Sequence, residues 1–301
     1  MHSRSFVNPP FVVVHSLSHP PLVCVLFILL VAVHVCNAIV VERRSFLENA
    51  GQATLLLGAL MALDVPAAAA SSSSSPVVES IYIGCGCFWH LQHSVAMFER
   101  DQLGRKGGQL TAKTGYAGGL ATTKMNTDTA SSIEDGRVCY HNPEGIADYG
   151  QLGYAEVVGV QVPTDRMLDM IQVYFDNFDA NTKDRRDPMD LGSEYRSILG
   201  LPGGIQHPQY ASIKRAAKRA GFRLQTGKGR DPDTLGTQLV YVYDTLEFPF
   251  HQAEIYHQFH NDFQSLPYGP QYNNLASRAF EDGRLQTTGC PDRLPPLPST
   301  T

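Results

Sequence analysis

SIYIGCGCFWHLQHSVAMFER, residues Ser80 to Arg100, decides how this chain is read. Ser80–Ile83 is a short run of β-branched and aromatic residues and predicts a strand. Gly84-Cys85-Gly86 breaks that run and allows a tight turn. Beyond it, Phe88, Leu91, Val95 and Phe98 recur at i, i+3, i+7 and i+10, which is one face of a helix. Cys87 therefore stands where a strand ends and a helix begins. The first N–H groups of a helix lack partners and its N-terminus carries partial positive charge. Both features favour a thiolate, so the thiol pKa is expected below the free value of about 8.5. Phe88 and Trp89, the single tryptophan of the chain, place an apolar wall beside that sulfur. A lone cysteine is more often an inert buried thiol; the turn, the helix start and the Phe-Trp pair together favour a reactive one.

Around this unit the pattern alternates between strands and helices. Gln109–Gly115 predicts a strand, and the polar stretch 120–136 a surface insertion. Ala155–Val162 alternates as a strand does. Thr164 reads as the N-cap of a helix whose stripe is Met167, Leu168, Ile171, Tyr174, Phe175 and Phe178. Asp179–Glu194 reads as a charged, solvated loop. A strand at Tyr195–Leu199, a helix at His207–Ala220 stopped by Gly221, a strand at Thr237–Tyr243 and a helix at Gln252–Phe263 follow. The tail from about 267 is rich in Pro, Asn and Gly and is expected to be irregular. This order predicts an α+β fold, a two-layer α/β sandwich with a mixed sheet.

The chain has 301 residues, 43% of them hydrophobic and 18% charged, with a formal net charge of −5. That balance gives no basic face for nucleic acid, and none is expected as a partner. Residues 1–41 read as a signal-peptide-like leader, since the apolar run Leu22–Val33 suits an h-region better than a transmembrane span. Residues 42–75 read as a second targeting signal: Arg43-Arg44-Ser45-Phe46-Leu47 looks like a twin-arginine motif, followed by an apolar run, an Ala-x-Ala site and a serine tract. Two signals in series resemble the leaders of thylakoid-lumen proteins in algae. The chain is expected to be exported, with a plastid thylakoid lumen as the destination; secretion, a periplasm or a membrane anchor are the alternatives. Residues 76–301 form a single catalytic domain in this reading. Cys24 and Cys36 fall in the leader. Cys85, Cys87, Cys139 and Cys290 are too sparse for a disulfide scaffold, so redox use is expected instead.

Five ordered blocks resemble a known family. Gly86-Cys87-Phe88-Trp89 looks like the signature of the A-type peptide methionine sulfoxide reductases. Thr114–Gly119 (TGYAGG), Gly153–Val157 (GYAEV), Asp190–Ser197 (DLGSEYRS) and Ile255–Gln258 (IYHQ) match in the same order. The resemblance spans about Ile81 to Gly269. It implies a mixed sheet with helices packed on it, similar to a ferredoxin-like core. It implies that Cys87 attacks the sulfur of methionine S-sulfoxide, free or in proteins, and that Glu156 donates the proton. Strand alternation alone would leave Glu156 in solvent, because an unpaired glutamate is rarely buried. Tyr116 and Tyr195 are implied to hydrogen-bond the S–O oxygen, Phe88 and Trp89 to hold the methyl group, and Asp190 to lie near the site. Cys87 would be left as a sulfenic acid, resolved by a second cysteine and then reduced by thioredoxin or a similar dithiol. No metal and no bound cofactor are implied, and a monomer is expected.

The sequence departs from that pattern in places. His90 and Tyr154 replace a glycine and a histidine. Tyr268-Gly269-Pro270-Gln271 stands where a resolving cysteine is usual. Cys290 is the resolving candidate, because it lies in the tail, and Cys85 is a second. Two other readings compete. A metal-binding module would use Cys85, Cys87 and His90, although a C-x-C spacing is unusual for zinc. A lumen protein without catalytic activity is the other.

The leader makes its own prediction. Residues 1–75 fused to a fluorescent protein should direct it to the thylakoid lumen or another exported compartment. Replacing both Arg43 and Arg44 by Lys should block the last step. Cytosolic fluorescence from the intact leader would defeat the reading.

Overall fold

The computed structural model describes residues 76–120 and 136–291. The two targeting signals and most of the expected 120–136 insertion lie outside the described residues.

The elements run β1 (Val78–Gly84), α1 (Phe88–Asp101), β2 (Lys113–Ala117), β3 (Ala155–Pro163), α2 (Met167–Asp176), β4 (Ile198–Leu201), α3 (Tyr210–Ala220), β5 (Arg223–Thr226), β6 (Leu239–Asp244), β7 (His251–Gln252) and α4 (Pro270–Glu281). Among the described residues, seven strands form one mixed sheet in the order β5-β6-β4-β1-β3-β2-β7. β1 pairs antiparallel with both β3 and β4, and β2 with both β3 and β7. β6 runs parallel to β4 and to β5. This is the α+β arrangement expected from the order of elements.

Alternation along the strands divides the core between two faces. Ile81 and Ile83 of β1, Val158, Val160 and Val162 of β3, and Leu199 of β4 join Leu91, Val95, Ile171, Ile213 and Leu275 of the helices in one cluster. Tyr82, Val157, Ile198, Tyr243 and Phe248 form a smaller cluster on the opposite face. There Phe250 packs against the sheet. A Cβ at Gly115 or Gly159 would come within 2.4 or 2.9 Å of its ring, so those strand glycines make room for it.

Several elements differ from their sequence reading. Gln252–Phe263 is not a helix. β7 and one 3-10 turn (Ile255–His257) take its place. The edge of β2 captures this segment: Ala253 N–H donates to the Thr114 carbonyl, and the Gln258 amide pairs with both the N–H and the C=O of Thr114. Satisfying the strand edge outweighs a helical apolar pattern. The tail is not irregular throughout, since α4 occupies Pro270–Glu281 with proline in its first turn, where the missing N–H costs nothing. Tyr272, Leu275, Ala276 and Ala279 are its buried stripe. The Thr164 side chain does not cap α2; Thr164–Arg166 is a separate 3-10 turn. Within α2, Met170 is buried and Leu168 is exposed. β4 begins at Ile198, after a 3-10 turn at Ser193–Tyr195. The charged loop 179–194 is not wholly solvated, because Arg185 and Asp190 are buried. β5 was not expected.

Arg196 is the largest fully buried side chain. Its guanidinium donates to the carbonyls of Ser193, Gly118 and Gly153 at 2.7, 2.9 and 3.0 Å. Tyr243 Oη lies 3.4 Å from its Nε and donates to Asp231. One cation thus ties the end of β2, the approach to β3 and the turn before β4. Replacing Arg196 by Met should leave the buried Gly118 carbonyl and the half-buried carbonyls of Ser193 and Gly153 without this donor and lower stability by about 1–3 kcal/mol, the cost of a buried unsatisfied group. The urea midpoint reads this directly.

Candidate active site

The strand–turn–helix unit forms as its sequence indicates, and its glycines explain the approach of two acids. Gly86 has φ +92°, and a Cβ there would stand 2.7 Å from Asp190 Oδ2. Without one, Asp190 accepts the Cys87 N–H at 2.8 Å. A Cβ on Gly84 would stand 2.5 Å from the Glu156 carbonyl, so β1 and β3 come together closely at this point. Glu156 Oε2 accepts the Phe88 N–H at 2.9 Å, and Tyr149 donates to Oε1 at 3.3 Å. The N–H groups of Cys87 and Phe88, at the start of α1, are therefore taken by carboxylates.

Burial sets the electrostatics. Glu156 is buried and its pKa is pushed up to about 8, against the lowering effect of its hydrogen bonds from Phe88 and Tyr149. Asp190 is also raised, again mainly by burial. Cys87 corrects the sequence expectation. Its pKa is raised well above the usual value, by burial first and the charge of Glu156 second; a hydrogen bond from the Trp89 backbone opposes this. The Trp89 N–H of the first helical turn favours the thiolate, but burial and the carboxylates held at the helix start outweigh it.

Cys87, Phe88, Trp89, Glu156, Asp190 and Tyr195 line one cavity of about 270 Å³. Tyr140 and the segment 262–265 complete its wall. Trp89 stacks on His260 at 4.1 Å between ring centroids and meets the edge of Phe263 at 5.1 Å. His90, in place of a glycine, also faces the cavity; burial pushes its pKa down to about 4, so it is neutral near pH 7.

Tyr116 is elsewhere. It is fully buried behind the cavity, and its hydroxyl donates to Glu254 at 2.8 Å. Tyr149 stacks on it at 4.7 Å, and Tyr140 stacks on Tyr149 at 5.6 Å. Tyr140 is thus the phenol of this stack that reaches the cavity. Sequence reasoning missed Tyr140 and Tyr149. The one visible signal was the unusual Cys139-Tyr140-His141-Asn142, which the strand and helix periods do not interpret.

Cys290, the expected resolving cysteine, is bonded to Cys139, with Cα atoms 5.6 Å apart. Cys85 and Cys87 are free. The bond follows from the path of the chain: after α4, Arg137 holds the Gly289 carbonyl at 2.8 Å and brings the tail alongside residues 137–139. Cys85 is buried with its pKa pushed up to about 12, a poor exchange partner. The ligand-type atoms that converge among the described residues are those of Cys139, Glu254 and Cys290, not those of Cys85, Cys87 and His90.

No family model matches the chain. Curated relatives do. It is 23% identical over 186 residues to the peptide methionine sulfoxide reductase MsrA of Geobacter metallireducens, covering 61% of this chain and 90% of that protein. It is 26% identical over 187 residues to MsrA of Agrobacterium fabrum, covering 60% and 68%. The chain is a relative of the A-type peptide methionine sulfoxide reductases. Among solved structures, Mxr1 of Saccharomyces cerevisiae in reduced form is 24% identical with a TM-score of 0.35, covering 60% of this chain and 82% of that one. Methionine sulfoxide reductase A of Corynebacterium diphtheriae is 16% identical with a TM-score of 0.35, covering 74% and 82%.

The raised thiol pKa has a kinetic consequence. Iodoacetamide should modify Cys87 more slowly than a free peptide cysteine at pH 7, with the rate still climbing above about pH 9. A plateau below pH 7 would mean a thiolate and contradict this electrostatic account. Non-reducing digestion of the same samples should find Cys139 joined to Cys290 and the label on Cys87.

Proposed function

We propose that this chain is a thiol-dependent reductase of methionine S-sulfoxide, free or in proteins, a peptide-methionine (S)-S-oxide reductase that repairs oxidative damage. The observation that carries the reading is a cysteine sulfur and a neutral carboxyl facing one aromatic-walled cavity. The sequence relation to proteins of that name supports it.

Each residue has a task in this reading. A sulfoxide sulfur becomes a better electrophile as its oxygen takes a proton. Glu156, with its pKa near 8, holds a proton at neutral pH and gives it to that oxygen. Cys87 attacks the sulfur, and its own proton returns to Glu156. The thiol loses two electrons and the sulfoxide gains two. The new Cys87–sulfur bond replaces the S–O bond as the twice-protonated oxygen leaves as water; a water molecule then attacks the Cys87 sulfur, breaks the sulfur–sulfur bond, releases methionine and leaves Cys87 as a sulfenic acid. Phe88 and Trp89 enclose the methyl group. Tyr195, at the cavity wall, hydrogen-bonds the oxygen; Tyr140 is the second phenol placed to do so, in the role assigned to Tyr116 from the sequence.

Recycling takes a second thiol, which condenses with the sulfenic acid and expels water. An external dithiol such as thioredoxin then reduces the resulting disulfide. Cys290 can act as that thiol only after the Cys139–Cys290 bond is opened, so the external dithiol acts first on this form. The enzyme works as a single chain, without metal or bound cofactor, in the exported compartment to which its leader directs it.

Turnover of dabsylated methionine S-sulfoxide with dithiothreitol tests the reading independently of the recycling route. Cys87→Ser should abolish it. Glu156→Gln should slow it by about 10²–10⁴-fold at pH 7, the usual worth of a general acid. No turnover by the intact protein would overturn the proposal, and an unchanged rate in Glu156→Gln would remove Glu156 from it.

A further inference from the structure

Two loops border the mouth of the cavity, and both display large apolar side chains in water. In the loop that supplies Asp187 and Asp190, Met189 is 76% exposed and Leu191 is 59% exposed. In the loop that supplies Asp262–Ser265, Phe263 is 82% exposed and Leu266 is 88% exposed. Single exposed apolar residues are ordinary, but a group of them around one opening marks a binding surface.

Hydrogen bonds fix these loops in place. Gln264 Nε2 donates to Asp187 Oδ2 at 2.8 Å and links one loop to the other. Asp187 Oδ1 accepts the Met189 N–H at 2.8 Å. Asp262 Oδ1 accepts the N–H groups of Gln264 and Ser265 at 2.7 and 2.6 Å, and Tyr268 donates to Asp262 Oδ2. The side chains of Met189 and Phe263 are therefore presented on a preset frame, so little ordering entropy is lost when something binds them. Phe263 also touches Trp89, which makes the patch continuous with the cavity.

Charge narrows the choice of occupant. Asp187, Asp190 and Asp262 line the cavity against one cation, Arg186. His90 is neutral near pH 7, as is Glu156. A free amino acid would bring both an α-ammonium and an α-carboxylate, two charged groups that must each give up water at this mouth, and no flanking side chain for the apolar patch. A residue within a polypeptide brings uncharged amides and its neighbours' side chains.

We infer that the patch formed by Met189, Leu191, Phe263 and Leu266 binds the residues flanking a methionine sulfoxide, and selects apolar flanking side chains over small ones. The inference rests on the reductase reading above and adds a specificity to it. Met189 and Phe263 grip the neighbouring side chains from opposite sides of the Gln264–Asp187 bond.

The test compares kcat/KM, with dithiothreitol as reductant, for three probes of the S epimer. These are free methionine sulfoxide, acetyl-Gly-Met(O)-Gly-amide and acetyl-Phe-Met(O)-Leu-amide. The apolar peptide should exceed the glycine peptide by on the order of tenfold, as expected for partial burial of one large side chain, mainly through KM. Free methionine sulfoxide should be poorest. Met189→Ser and Leu266→Ser should each shrink the ratio of apolar to glycine peptide. Leu246→Ser, at an equally exposed leucine away from the cavity lining, should leave the ratio unchanged. Equal kcat/KM for all three probes would overturn the inference while leaving the reductase reading intact. No turnover of any probe would overturn both. If the patch instead seats a second copy of the chain, Met189→Ser would convert a sedimenting dimer to a monomer with no change in peptide preference, and the inference would fail.

Discussion

A carboxyl at the centre of the sheet accepts the first helical N–H of α1, and the site depends on that contact. The Glu156–Phe88 hydrogen bond joins β3 to the start of α1, next to the β1–β3 pairing. It is possible because Gly84 and Gly86 carry no Cβ, so that strand and carboxylates can approach the turn. It also settles the protonation of the site. Two acids take the N–H groups of Cys87 and Phe88, and burial holds Glu156 and Cys87 in their protonated forms. The helix N-terminus here organises acids around a thiol instead of ionising the thiol.

The aromatic wall is a second layer of the same arrangement. Tyr116, Tyr149 and Tyr140 stack from the core towards the cavity. Glu254 fixes both ends of that stack, accepting from the Tyr116 hydroxyl at 2.8 Å and from the Tyr140 N–H at 2.7 Å. Cys139, adjacent to Tyr140, is joined to Cys290 of the tail. One peptide unit therefore separates that disulfide from the wall of the cavity.

Local features were legible in the sequence and distant ones were not. The β1–turn–α1 unit could be read because its strand period, glycines and helix period lie in one continuous stretch. The α4 stripe of Tyr272, Leu275, Ala276 and Ala279 was present, but a composition rich in Pro and Asn concealed it. The segment after Gln252 has a helical pattern and is held extended by Thr114, more than a hundred residues earlier, which no local reading can detect. Glu156, Asp190 and Tyr195 came from the resemblance, since alternation alone would have placed Glu156 in water. Tyr116 shows the limit of such a transfer: the residue type and block match, but the hydroxyl is directed to Glu254. The Cys139–Cys290 bond depends on where α4 returns the tail, and spacing could not have revealed it.

The order of strands has one more consequence. β1 and β2, from residues 76–120, are each inserted between strands from residues 136–291: β1 between β4 and β3, and β2 between β3 and β7. Cys87 belongs to the first part, and Glu156, Asp190 and Tyr195 to the second. Cys87 and the carboxyls beside it are therefore neighbours only while the two parts interleave. If the chain were severed between them, each fragment would carry half of the chemistry, and reconstituted turnover would report that the sheet had reassembled.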